Sequence, residues 1–134
     1  MAKLTSVEGI GASSAGKLKA AGVRSSNALL SEGASARGRK EIASRSGISE
    51  AKILEWVNHV DLYRIKGVGE EYADLLEAAG VDTVPELAQR NAHNLYEKMQ
   101  EVNRSKRLVR KLPAESQVLG WCKQAKRMPR VINY

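Results

Sequence analysis

Apolar residues along the chain recur at three- and four-residue intervals, the period of helices with one buried face, and little in the pattern supports a strand. Ile53, Trp56, Val57 and Val60 fall on one such face, as do Leu95, Met99 and Val102, and later Val118, Trp121, Cys122 and Ala125. Ala15 and Leu18 do the same in a shorter segment after Gly11. Stops and starts are written between these stretches. Gly22 and Gly80 in the two "AAGV" segments are placed to close helices in the left-handed conformation, with Val23 and Val81 folding back onto the last turn. Gly47 closes a helix and Ser49 caps the next, while Thr83 with Glu86 forms a capping box that tolerates Pro85 in its first turn. Residues from Leu54 to Ile65 read as one continuous helix, and Arg104 to Leu112 as a short basic helix that Pro113 separates from the last one.

The pattern also repeats. "LTSVEGIGASSAGKLKAAGVRSSNALL" from Leu4 aligns without a gap on "LYRIKGVGEEYADLLEAAGVDTVPELA" from Leu62, 58 residues on. Gly9, Ile10 and Gly11 meet Gly67, Val68 and Gly69; Ala15 meets Ala73, Leu18 meets Leu76, and the "AAGV" endings coincide. Trp56 and Trp121 correspond if about seven residues around Lys106 to Leu112 are inserted in the second half. Two related units, residues 1–61 and 62–134, are therefore expected, packed as one all-α helical body. Both tryptophans sit on apolar helix faces and read as core.

A tight turn of the form apolar-x-Gly-apolar-Gly ahead of a helix has a physical logic. Glycines allow backbone angles closed to other residues and remove side chains that would hold a phosphate away. The apolar residue between them, Ile10 or Val68, tucks inward, and the free N–H groups at the positive end of the following helix face an anion. Such a site binds backbone phosphate and is blind to base sequence.

Both segments resemble helix-hairpin-helix motifs, the short nucleic-acid-binding hairpins of repair and recombination proteins. Over nearly its whole length the chain also resembles the bacterial family called domain of unknown function 4332, with paired hairpins of this kind. The first resemblance implies sequence-independent contact with DNA phosphates, sometimes with a monovalent cation held by hairpin carbonyls. The second implies a fold and no established activity. Carried across, the phosphate-facing positions are Gly9, Gly11, Ala12 and Ser13, flanking the pivot Ile10, with Lys17 and Lys19 nearby. This copy lacks a full first helix, since so few residues precede the turn. Gly16 weakens the following helix by about 1 kcal/mol relative to alanine, a cost that suggests close approach of another backbone. The matching positions in the second copy are Gly67, Val68 and Gly69, but Glu70 and Glu71 follow at once, and Glu70, Asp74 and Glu77 form an acidic stripe at helical spacing that repels phosphate.

The formal charge is +7, unevenly distributed. Residues 98–134 hold ten Lys or Arg against two acids, whereas residues 64–97 hold three against seven. The densest basic stretch, "NRSKRLVRKLP", offers Arg104, Lys106, Arg107, Arg110 and Lys111 for phosphate tracking, or as a solvated face, or for docking on an acidic stripe within or between molecules. With 4% aromatics a single-strand stacking platform is not expected. The tail after Lys126 has a short apolar end that docks on the body or on a neighbour.

No catalytic constellation is evident. His59 and His93 have no sequence-adjacent nucleophile or recurrent acid partner, no phosphate loop of Walker spacing occurs, and Asp82 is a weak candidate for a glycosylase aspartate in so short a chain. One cysteine and two histidines make no zinc set, so no metal or other cofactor is expected. The start lacks the apolar segment of a secretion signal and no stretch is long enough to span a bilayer, which with the lone cysteine suggests a cytoplasmic protein. The sequence thus points to a non-catalytic protein that binds nucleic acid, duplex DNA above all, through its backbone. The alternative is a protein-interaction or self-assembly module that keeps the hairpins as architecture.

Overall fold

The computed structural model describes residues 3–134. Among these the chain is all-helical. A single 3-10 turn, Leu4–Ser6, precedes α1 (Ala12–Ala20), α2 (Ser26–Glu32), α3 (Ala36–Ser46), α4 (Glu50–Leu62), α5 (Glu70–Ala78), α6 (Val84–Gln89), α7 (Ala92–Lys106) and α8 (Glu115–Arg127). The chain divides into two compact units, one ending at Asp61 and rejoined by Arg130–Tyr134, the other Leu62–Pro129. The order of elements is the same in both: hairpin, helix, short helix, helix, tryptophan-bearing helix. No helix among the described residues is long and apolar enough to cross a membrane.

Local chemistry sets the boundaries. Ser25, Ser35, Ser49, Thr83 and Asn91 each accept a hydrogen bond from the backbone N–H three residues on, and so open α2, α3, α4, α6 and α7. Gln117 reaches back to the N–H of Ala114 at 2.8 Å to open α8. The first helices of the two units close identically: Val23 N–H donates to Leu18 O at 2.8 Å and Val81 N–H to Leu76 O at 2.9 Å, across the left-handed Gly22 and Gly80.

In the first unit Leu4, Val7, Leu18, Ile42, Ile53 and Trp56 are buried, each large aliphatic side chain worth about 1.5 to 3 kcal/mol of transfer free energy. Ile132 joins this core, and the tail around it is tied down by Asn133 N–H to Ala34 O at 2.7 Å and Tyr134 Oη to Asn58 Oδ1 at 2.6 Å. The tail therefore docks on its own chain. Buried Arg39 completes the attachment, donating to Gly33 O, Ala34 O and Asn133 O at 2.9, 3.2 and 2.7 Å. The second unit closes around Leu76, Leu87, Leu95, Met99, Val118 and Trp121, with α8 packed on α6 and α7.

Three expectations are corrected. The helix expected from Leu54 to Ile65 ends at Leu62, because a turn in which Ile65 N–H donates to Leu62 O begins the second hairpin. The basic helix expected from Arg104 to Leu112 does not form: α7 runs to Lys106, Arg107 takes left-handed angles (φ 49°), and residues 107–114 are irregular. The side chain of Asn103 captures the backbone of Val109 in both directions, Nδ2 to O at 3.1 Å and N to Oδ1 at 3.0 Å, and those bonds replace the helical ones. Gly16 admits no neighbouring backbone, for a Cβ there would meet nothing within 4 Å.

Candidate nucleic-acid interface

The two hairpins share one geometry. Val7 O accepts from Ile10 N and Ile65 O from Val68 N, both at 3.0 Å, and the intervening Gly9 and Gly67 adopt φ of 90° and 92°. The pivots Ile10 and Val68 are 3% and 4% exposed, so they anchor the turns from inside and leave contact with a ligand to the backbone. Only the first glycine of each pair needs its unusual angles. Gly11 and Gly69 are extended, with φ of −85° and −99°, and serve as N-caps of α1 and α5 without any side-chain cap. A Cβ on either would meet nothing within 4 Å, so both backbones face open space.

That absence of a cap is shared with α8, whose N-cap is Ala114, and separates α1 and α5 from the helices that Ser, Thr or Asn side chains open. The earliest amide partnered within α1 is that of Ala15, bonded to Gly11 O at 2.9 Å, and the N–H groups before it point out of the helix end. No acid lies in the first turn of α1, and Gly11, Ala12 and Ser13 are exposed. Helical spacing puts Lys17 one turn beyond Ser13, about 100° round the helix from buried Leu18, and both Ser13 and Lys17 are exposed. Lys19 lies on the flank instead, where it lines a cleft of about 280 Å³ with Lys3, Leu4, Thr5, Ala15 and Arg24. Lys3 and Arg24 have no spacing signal in the sequence that would have assigned them here.

The second hairpin is surrounded differently. Glu70 and Glu71 occupy the first turn of α5, and Leu75, at the position of Lys17, is buried. Gln124 on α8 takes both main-chain groups of Lys66, N–H at 3.0 Å and C=O at 3.3 Å. Arg64 Nη2 reaches Pro129 O at 3.4 Å. Tyr72 packs on Trp121 with ring centroids 5.4 Å apart, and its hydroxyl donates to Lys111 O at 3.0 Å. The residues 104–111 thus belong to the second unit and are tied to its hairpin helix; Arg104, Lys106, Arg107, Arg110 and Lys111 are all exposed.

The histidine expected to stand alone has partners. His93 Nε2 lies 2.7 Å from Glu97 Oε1, and Nδ1 lies 2.8 Å from Glu115 Oε1. The hydrogen bond and charge of Glu115, then the charge of Glu97, push its pKa above the usual 6.5. Glu97 is readable at helical spacing; Glu115 arrives only with the packing of α7 on α8. A cleft of about 430 Å³ beside them is lined by Asn91, Ala92, Ser116 and Leu119 as well. With both ring nitrogens committed to carboxylates the imidazole has no free nitrogen with which to act as a base. Burial pushes the Cys122 thiol up, which keeps it protonated and unreactive.

Fold and surface together define an all-helical protein with two glycine hairpins. Residues 8–128 match the family described as Domain of unknown function (DUF4332), and the chain belongs to that family. No curated protein and no solved structure matches it.

Proposed function

We propose that the protein is a non-catalytic, cytoplasmic nucleic-acid-binding protein of the helix-hairpin-helix type, which grips the phosphate backbone, duplex DNA above all, without reading base sequence. One observation supports this most strongly: the uncapped start of α1, open at Gly11 and free of acids in its first turn, with Ser13 and Lys17 on the exposed side. Amides at a helix start and a lysine one turn along suit a phosphodiester, and neither distinguishes one base from another. The cationic cleft of Lys3, Lys19 and Arg24 adds favourable potential in the same unit.

The test is fluorescence anisotropy with a labelled mixed-sequence duplex over a salt series. Binding should be present at about 50 mM salt, weaken steeply as salt rises, and be indifferent to sequence. Lys17→Glu should weaken it, and a duplex that is not bound at low salt sinks the reading.

A second reading is self-assembly, favoured by the exposed acids Glu70 and Glu71 and the exposed cations of residues 104–111 in one unit. It predicts a molar mass that falls with salt in light scattering, whereas a salt-insensitive monomer excludes it.

A further inference from the structure

The two units differ most where the repeat loses register. The connection between α3 and α4 is three residues, 47–49, whereas that between α7 and α8 is eight, 107–114. The longer connection is held at three points. Arg107 N–H donates to Asn103 O at 2.8 Å in a left-handed turn, Asn103 holds both main-chain groups of buried Val109, and Tyr72 Oη holds Lys111 O. Tyr72 is itself seated on Trp121, whose Nε1 lies 3.0 Å from the place a Cβ on Gly67 would occupy. The loop backbone is thereby referenced to the second hairpin through two aromatic rings.

What this scaffold displays is charge. No acid occurs between Glu101 and Glu115, and Arg104, Lys106, Arg107, Arg110 and Lys111 are exposed without an ion pair among the described residues, although Glu70 and Glu71 stand on the helix that anchors the loop. Cations placed only to neutralise that acidic helix would be expected to pair with it. The surface also lacks the apolar anchors of a protein interface: its one large apolar side chain is Leu108, 36% exposed. Three of the five cations are arginines, whose planar fork matches phosphate oxygens. Fixing the backbone beforehand reduces the ordering cost of binding.

We infer that residues 104–111, the last turn of α7 and the loop that follows it, form a second, independent phosphate-binding surface for a nucleic-acid backbone, with Tyr72 as the positioning residue of the loop. The inference rests on the reading of the protein as a backbone binder and adds an interaction that the hairpin amides do not provide. It assigns the second unit a role in binding through its inserted loop, while its acidic hairpin helix serves as the support.

The experiment uses the full chain and the same labelled duplex, titrated from about 50 to about 200 mM salt. The double change Arg107→Glu, Arg110→Glu should weaken binding and flatten the log–log salt slope by about 1.8, at about 0.9 for each duplex phosphate that is no longer neutralised. Tyr72→Phe should flatten the slope by less, with the melting temperature nearly unchanged, which a purely structural role would not do. The same charge change on α3, Lys40→Glu with Arg45→Glu, should have a smaller effect. An equal effect from that control overturns the inference. So does a loop variant that binds as the parent does while Lys17→Glu is weakened, an outcome that leaves the hairpin reading standing. Loss with the loop variant but not with Lys17→Glu removes the hairpin reading and keeps the loop. No binding by the parent protein overturns both, and a loop variant that only lowers the molar mass of the free protein assigns the surface to a second copy instead.

Discussion

The indole Nε1 of Trp56 lies 3.0 Å from the point where a Cβ on Gly9 would sit, and Trp121 stands in the same relation to Gly67. Each tryptophan is 2% exposed and forms the floor of its hairpin, so the turn that offers backbone to solvent is braced from below by the largest side chain in its unit. The Trp56 nitrogen is buried with no acceptor, which shows how closely the turn is pressed onto the ring.

The two glycines of the first hairpin should therefore respond unequally to alanine. Gly9→Ala meets a positive φ and the Trp56 ring, and should cost about 1 to 3 kcal/mol in urea unfolding. Gly11→Ala has ordinary angles and open space, and should cost no more than about 1 kcal/mol through a poorer cap. Its expected effect is on binding, since the new methyl would stand where the proposed interface admits phosphate. A Gly11→Ala protein that binds duplex DNA as tightly as the parent would remove this hairpin from the interface.

Arg39 should be the most sensitive charged residue of the first unit. Arg39→Met keeps the apolar stem but removes the guanidinium from the carbonyls of Gly33 and Asn133 and leaves Ala34 O with Asn133 N–H alone, and should cost at least about 2 kcal/mol. Tyr134→Phe removes one bond, to Asn58, and should cost about 0.5 to 1.5 kcal/mol. Denaturant unfolding of the two variants side by side tests the ranking, and a Tyr134 variant weaker than the Arg39 variant would contradict it.

His93 makes the joint between α7 and α8 dependent on pH. Its folded pKa is raised, so the stabilisation is fully present below the unfolded value of 6.5 and is lost as pH rises through the higher folded value. A proton NMR titration of the His93 ring should give a midpoint above 6.5, and Glu115→Gln should bring it down more than Glu97→Gln, because Glu115 provides the largest effect. A midpoint unchanged in Glu115→Gln would reject the bridge.

Asn103 should govern the order of the basic loop. Asn103→Ala releases both main-chain groups of Val109, should cost about 1 to 2 kcal/mol, and should speed hydrogen exchange at the Val109 amide well beyond that at α5. Exchange at Val109 as slow as in the parent would mean that burial of its side chain alone holds the loop.

Much of the fold is legible in the chain because its rules are local. The helix ends at Gly22, Gly47 and Gly80, the caps at Ser49 and Thr83, and the buried pivots Ile10 and Val68 follow from residue type and spacing within one or two turns. The basic segment reads as helix because its intrinsic preference is helical, while the competing bonds come from the Asn103 side chain and from Tyr72, 39 residues from Lys111. Nothing in the run "NRSKRLVRKLP" announces either partner.

By itself the sequence determined an all-helical chain, the twofold repeat, the two glycine turns and the sign of the charge in each segment, since periodicity, capping and composition act over short range. Only the tertiary structure decided that each tryptophan lies beneath its hairpin, that Lys19 joins Lys3 and Arg24 around a cleft, that His93 is clamped by Glu115, and that Arg107, Arg110 and Lys111 ride on a pinned loop of the second unit. Those relationships depend on which helix faces meet. Residues far apart in the chain become neighbours only when burial of apolar surface brings their helices together.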